Sequence, residues 1–388
     1  MSRFFSARQA VGGSAPQPDF YLLGAAVALM GLGWVMVGSA SVAIADSRFG
    51  QPTYYLWRQG LFLLLGLATA FGVWRIRLAF WEKLGPVLLL LGLGLLLLTL
   101  IPGIGVEVNG SRRWLALGPI SLQPSELVKL FMVIYLSGYL VRRSTEVRTT
   151  IRGFLFPVGV FAMAGLLLLL EPDFGAVVVL FATLLGMLFL GGARLWHFLL
   201  LAAVGGTSLA ALAWYSPYRM QRLTSFLDPW ADPLNSGYQL TQALIAFGRG
   251  EWLGVGLGNS IQKLFYLPEA HTDFLYAVLA EELGLVGSLA VIALFAVFIY
   301  RVLLIGRAAE RAGRAFGAHL AYGLGIWIGL QAFINLGVNM GVLPTKGLTL
   351  PLMSAGGSSS IVTCVAVALI LRVDLETRFP KVARRSIK

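Results

Sequence analysis

Ten apolar runs, each close to the length that crosses a bilayer, constrain this chain more than any other feature. A spanning helix needs about 20 residues to cross the hydrocarbon layer. Runs of that kind fall near 20–45, 56–74, 84–106, 123–141, 153–170, 172–193, 195–215, 274–300, 315–342 and 349–371. Inside lipid every backbone polar group must be satisfied within the protein, so such runs fold as helices. Charged residues are only 12% of the 388, against 57% hydrophobic, where a soluble domain carries about 25% charge. The expectation is an all-α polytopic membrane protein with about ten transmembrane helices. The second run is short, and the fourth contains Lys129. The fifth and sixth meet at Glu171-Pro172-Asp173, where Pro172 breaks the helix.

Basic residues set the orientation. With the N-terminus in the cytoplasm, the inside segments hold twenty of the thirty Lys and Arg, including Arg142, Arg143, Arg148 and Arg152, and Arg301, Arg307, Arg311 and Arg314. An even number of spans then puts both termini inside. The chain divides into a cytoplasmic tail at 1–19, a single transmembrane domain at 20–371 with a large periplasmic loop at 216–272 between helices 7 and 8, and a basic cytoplasmic tail at 372–388. The net charge of +12 is accounted for by this topology and by anionic inner-leaflet lipid, so no nucleic-acid partner is called for. The first run exceeds a signal-peptide core and nine more follow, so it reads as an uncleaved helix. A single cysteine, Cys364, excludes an intrachain disulfide and a Cys/His metal cluster.

The polar chemistry gathers on the outside. Asp273 lies where the long loop, ending Tyr266-Leu-Pro-Glu-Ala-His-Thr-Asp273, becomes a spanning run. Taking a carboxylate out of water costs several kcal/mol unless it is paired or protonated. Thr272 is the expected N-cap of that helix, which leaves Asp273 for other work. Glu126 and Lys129, three apart, share a helix face and can pair. Asp173 follows a proline and serves equally as an N-cap or a functional acid. Glu281 and Glu282 lie about two turns below Asp273, roughly 12 Å, with pairing to a neighbouring span as their simplest role. Arg112 and Arg113 sit in the loop 107–122, His271 beside Asp273, and Lys346 in the turn 343–351. A transporter would line a path to the midplane. Charges gathered at one face instead suit an anionic headgroup held in the outer leaflet, with Arg and Lys on phosphate oxygens and a carboxylate handling a proton.

Two short amphipathic helices are expected in the long loop, over Tyr218–Leu227 at the headgroup level and over Tyr238–Phe247. Gly254-Val-Gly-Leu-Gly258 follows no strand and reads as a turn rather than a nucleotide loop. Gly356-Gly-Ser-Ser-Ser360 reads as close packing or a helix break. His197 reads as structural.

The motifs Asn109-Gly-Ser-Arg-Arg-Trp-Leu, Gln123-Pro-Ser-Glu-Leu-Val-Lys129, Glu171-Pro-Asp-Phe-Gly175, Leu267-Pro-Glu-Ala-His-Thr-Asp-Phe274, Glu281-Glu-Leu-Gly284 and Leu343-Pro-Thr-Lys-Gly-Leu-Thr-Leu-Pro351 resemble the SEDS family (shape, elongation, division and sporulation), and within it the division branch. The resemblance runs from the first span to the last. One departure is Ala355, where many relatives carry tyrosine. The resemblance implies a ten-helix peptidoglycan glycosyltransferase that polymerises lipid II at the outer face of the cytoplasmic membrane, at the division septum. It implies a class B penicillin-binding transpeptidase and other septal membrane proteins as partners. It makes Asp273 the essential acid, with Glu126, Lys129 and Asp173 at other polar family positions. Arg112, Arg113, Lys129 and Lys346 are candidates for stabilising a leaving pyrophosphate, a task that a divalent cation such as Mg or Mn would also perform. A lipid II flippase and a non-catalytic divisome scaffold are the competing readings.

Overall fold

The computed structural model describes residues 18–108, 111–118, 120–215, 217–344 and 347–379. Each expected span contains a helix. They are α1 (Phe20–Phe49), α2 (Tyr54–Arg75), α3 (Leu78–Leu100), α4 (Pro124–Arg142), α6 (Ile151–Leu170), α7 (Phe174–Leu190), α8 (Leu195–Trp214), α11 (Leu275–Arg311), α12 (Ala315–Asn339) and α13 (Gly357–Arg378). Among the described residues nine are long and apolar enough to cross a membrane, and α7, at 17 residues, is a shorter apolar helix. A short α5 (Ser144–Thr149) links α4 to α6. The two helices expected in the long loop are α9 (Pro217–Leu227) and α10 (Tyr238–Gly250).

The ends differ from the expected runs for local reasons. The third helix stops at Leu100 rather than near 106, because Pro102 lacks the amide a helix needs and Gly103 turns at φ 89°. It starts early, at Leu78, where the Glu376 carboxylate accepts the Leu78 amide at 3.0 Å. The described residues of the stretch 107–122, read from the sequence as a loop, belong to a three-stranded antiparallel meander of β1 (Gly105–Val108), β2 (Ser111–Leu117) and β3 (Ile120–Leu122). Val106 pairs with Trp114 and Leu115 with Leu122. The tenth helix begins at Gly357 rather than 349. The described residues from Gly347 to Gly356 form a non-helical strap with Leu348, Leu350, Leu352, Met353 and Ser354 buried. Irregular backbone at this depth is tolerated where protein surrounds it.

The helices α4, α12 and α13 fill the middle and are buried along most of their length. Lipid tails are as apolar as leucine, so helices associate through close packing at small residues. Gly85 and Gly92, two turns apart on α3, do this against α4. A Cβ at Gly85 would lie 3.3 Å from the Tyr135 backbone, and one at Gly92 would lie 3.2 Å from the Val128 side chain. At the end the charge rule assigns to the cytoplasm, Asp19 meets Arg301 and Arg378 while Glu376 meets Arg372 and Arg314. These ion pairs tie the start of α1 and the end of α13 to the body of α11 and the start of α12.

Candidate active site

The opposite end is organised by a stripe of amides on α12. Gln331, Asn335 and Asn339 are spaced four apart, so they share one face, and all three are buried. Asn335 Nδ2 donates to the Asp273 carbonyl at 2.9 Å and to the Leu348 carbonyl at 2.6 Å. Asn339 Nδ2 also donates to the Asp273 carbonyl, at 2.9 Å. Gln331 Nε2 donates to the Thr349 carbonyl at 3.1 Å. One helix face therefore holds both the backbone of Asp273 and the strap. Further stitches join these two segments directly. Ser354 Oγ donates to the Thr272 carbonyl at 2.6 Å, and the Ala355 amide donates to the His271 carbonyl at 3.0 Å. A Cβ built on Gly347 would lie 3.0 Å from Asp273 Oδ2, so the carboxylate stands against that glycine.

Thr272 is not the N-cap expected of it. Its hydroxyl donates to Glu269 Oε2 at 2.6 Å, within a turn where Glu269 takes φ 57°. The helix begins two residues later, at Leu275, and an amide of its first turn, Ala277, is shared between the Phe274 carbonyl and Asn339 Oδ1, at 3.1 Å each. The cap comes from another helix. Asp173 does cap α7, accepting the Ala176 amide at 3.2 Å. Next to it Gly175 abuts the Leu348 side chain, which brings the α7 N-terminus to the strap.

Lys129 is enclosed rather than open to a ligand. Its amine donates to Glu126 Oε1 at 2.9 Å and to Gln331 Oε1 at 2.7 Å, and lies 5.5 Å from the Trp327 ring centroid. Arg113 bridges to the α6–α7 turn, donating to the carbonyls of Glu171 and Pro172 at 3.1 and 2.6 Å. Arg112 pairs with Glu107 across the β1–β2 ladder at 3.2 Å, an exposed contact worth about 0–1 kcal/mol. The His271 ring packs against Tyr55 at 4.8 Å, and burial holds its pKa below the usual imidazole value although Glu269 opposes this. Lys346 lies outside the described residues. Asp273 thus stands against the strap, Lys129 is linked to it through Gln331, and the α7 N-terminus that Asp173 caps meets it at Gly175, whereas Arg112 and Arg113 are engaged on the sheet and the α6–α7 turn.

One feature, the amide stripe of α12, went unmarked in the sequence, and Glu171, seen there at the junction of the fifth and sixth runs, has surroundings that the sequence does not show. The amide stripe was visible as Gln331, Asn335 and Asn339 at helical spacing inside an apolar run. Glu171 is fully buried. Its carboxyl contacts the Thr99 hydroxyl, and burial lifts its pKa to about 7, with the Thr99 contact lowering it and the Asp173 charge raising it. Among the described residues no three His, Cys, Asp or Glu side chains group so as to hold a metal ion. A divalent cation here would take its ligands largely from substrate phosphates, as Mg²⁺ commonly does.

A bundle of membrane-spanning helices whose polar groups gather around one carboxylate at one end defines a polytopic membrane protein with a site near the bilayer surface. The chain belongs to the cell cycle protein family that unites FtsW, RodA and SpoVE, whose model matches residues 20–379. It is 96% identical, over all 388 residues of both chains, to the probable peptidoglycan glycosyltransferase FtsW of Nitrosococcus halophilus. It is 60% identical over 363 residues, 94% of this chain and 91% of the other, to the protein of that name from Thioalkalivibrio sulfidiphilus. Among solved structures it is similar to a chain of a peptidoglycan synthase complex that coordinates polymerization and crosslinking, at a TM-score of 0.75 and 31% identity, covering 93% of this chain and 98% of that one. It is also similar to the rod shape determining protein RodA of Thermus thermophilus, at a TM-score of 0.68 and 28% identity, covering 93% and 97%.

Proposed function

We propose that this chain is a peptidoglycan glycosyltransferase that polymerises lipid II at the outer face of the cytoplasmic membrane, with Asp273 as general base. The observation that carries this is the anchoring of Asp273. Two amides from α12 hold its carbonyl, and its carboxylate stands against the strap at Gly347. Such anchoring suits a group that must meet a reacting atom in a fixed geometry.

In the reaction, the Asp273 carboxylate takes the proton of the acceptor sugar hydroxyl. The freed oxygen bonds to the anomeric carbon of the donor as the bond from that carbon to the lipid pyrophosphate breaks. The electron pair leaves with the pyrophosphate. A single displacement inverts the anomeric carbon, so one base suffices and no covalent intermediate forms (compare). The pyrophosphate needs cationic stabilisation, from Arg112, Arg113 or Lys346 or from a divalent cation. The partner on this reading is a class B transpeptidase, alongside other septal membrane proteins. The likeness to a chain of a complex that joins polymerization to crosslinking supports it.

The test is lipid II polymerisation by the purified chain with its transpeptidase, comparing wild type with Asp273→Asn. Loss of a general base lowers the rate by about 10²–10⁴. Long glycan chains from both proteins would move the base elsewhere. None from either would shift the reading to a flippase or a scaffold.

A further inference from the structure

The helix α11 is interrupted at Gly284, which sits at φ 66° and ψ −162°. In an unbroken helix the amides of Leu285 and Val286 would bond to the carbonyls of Glu281 and Glu282. Here they donate to Glu251 and Trp252 instead, at 2.9 and 3.2 Å. The carbonyls so released accept the amides of Val255 and Gly256, at 3.0 and 3.1 Å. The loop 251–256 is thus spliced into the ladder of α11, with four cross-bonds replacing two helical ones.

The splice is tight. A Cβ on Gly254 would lie 2.1 Å from the Glu282 carbonyl oxygen, and one on Gly284 would lie 2.4 Å from the Gly254 amide nitrogen. Both glycines also take positive φ, at 80° and 66°, which other residues adopt only at a cost. Downstream, two carboxylates with no solvent exposure lock the loop in place. Glu281 accepts from Arg249 at 2.5 Å and from the amides of Ile261 and Gln262. Glu282 accepts from Lys263 at 2.7 Å and from Ser39 of α1. Lys263 in turn donates to the Gly258 carbonyl at 2.7 Å.

Asp273 lies at the far end of the short half-helix 275–283. Eleven residues at 1.5 Å each make a lever of about 16 Å from Gly284. Glycine is a usual seat of sharp helix kinks, and a tilt of about 20° there would carry Asp273 about 6 Å. Beside the splice lies a half-open cavity of about 590 Å³ lined in part by Trp252, Tyr276, Gly284, Ser288 and Met340.

We propose that the splice of loop 251–256 into α11 is the positioning device for Asp273, with Gly254, Gly284 and the Glu282–Lys263 pair as positioning residues. Spliced, it holds Asp273 against the strap. When the loop withdraws, the Leu285 and Val286 amides return to Glu281 and Glu282, α11 closes into one helix, and Asp273 leaves the strap. On withdrawal the helix recovers two of its own bonds for the four cross-bonds lost, and the four loop groups released must find partners elsewhere. This inference rests on the reading of Asp273 as the base.

The experiment uses the full chain with its transpeptidase, with Cys364→Ala and spin labels on Leu253→Cys and Leu289→Cys, both exposed positions. The expected result is one narrow label–label distance in the parent. Gly254→Ala and Gly284→Ala should each displace or broaden it and lower kcat for lipid II polymerisation at least tenfold, with KM within about threefold. Glu282→Gln keeps both glycines. It should broaden the distance and lower kcat at least threefold even where the alanine variants fail to fold. A displaced distance with unchanged kcat would overturn the proposal, and so would a fallen kcat with an unmoved distance. Asp273→Asn separates the two readings. Its activity reports on the base alone, while the distance in that variant, expected unchanged, reports on the splice alone.

Discussion

Replacing Lys129 by methionine tests whether that amine serves the substrate or the fold. The side chain is 1% exposed and its Glu126 partner 7%. Glu126 Oε2 already lacks a hydrogen-bond partner, so removing the amine strands the whole carboxylate inside protein. Breaking a buried pair from one side costs about 3–5 kcal/mol, because the remaining charge is uncompensated. Loss of the ammonium beside Trp327 adds about 0.5–2 kcal/mol. A second substitution, Glu126→Leu, removes the stranded charge, and replacing a whole buried pair by apolar groups is often neutral. Lys129→Met alone should therefore lose at least about 3 kcal/mol in a denaturant titration read by tryptophan fluorescence. The double variant should recover most of that and still polymerise lipid II within about tenfold of wild type. A single variant as stable as wild type would refute the buried-pair reasoning. A double variant that is stable but inactive would put Lys129 on the substrate.

Other outcomes follow from the same geometry. Glu171 has a folded pKa of about 7 against an ordinary 4.5. The folded state therefore holds more protons than the unfolded one between those values, and stability falls as pH rises from about 4.5 to 7, by about 3 kcal/mol in all. Glu171→Gln should abolish that slope in a pH series of denaturant titrations. For Asp19 burial acts to raise the pKa, but hydrogen bonds from Arg301 and the Leu22 amide, with the charges of Arg301 and Arg378, hold it below the usual value. Its contribution is present above pH 4 and lost as pH falls through the depressed pKa, so Arg301→Met should move the acid-side loss of stability to higher pH. Asn339→Leu removes one of the two acceptors of the Ala277 amide, which still donates to the Phe274 carbonyl at 3.1 Å, at about 0.5–1.5 kcal/mol. It also loosens Asp273, so polymerisation should fall by about tenfold in chains that still purify folded.

The ten spans were legible because the bilayer demands about 20 apolar residues wherever a helix crosses it, and 57% hydrophobic content leaves little else to build. The ends were not legible to the same degree, because their causes are tertiary. Nothing local says that Leu78 begins a helix. The Glu376 carboxylate that accepts its amide lies 298 residues away. The strap resembled the start of a tenth span, since Leu348, Leu350 and Leu352 are as apolar as any helix, yet the carbonyls of Leu348 and Thr349 are answered by Asn335 and Gln331 of α12 rather than by a continuing helix. Thr272 failed as a cap for a similar reason. Glu269, three residues before it, takes its hydroxyl, and an asparagine from another helix answers the Ala277 amide.

The site shows the same division. Asp273 was found from cost, since a carboxylate at a helix mouth must be explained. Cost alone could not reveal what holds it. The amides that do so carry no charge and raise no alarm in an apolar run, although their spacing of four marks a single face. The splice is harder still to foresee. Glu281 and Glu282 look like acids awaiting partners on another span, and Glu282 does find Ser39 there. Their main partners are Arg249 and Lys263, brought back by a loop whose glycines read only as a turn. Gly254, Gly256 and Gly258 do turn, at φ between 80° and 96°. What the turn serves becomes visible only where Gly254 meets Gly284 and a helix exchanges two of its own hydrogen bonds for those of a loop. Such an exchange leaves hydropathy and charge pattern untouched, so glycines placed where a Cβ would clash with the facing segment's backbone, Gly254 against Glu282 and Gly284 against Gly254, are the trace it leaves in the chain.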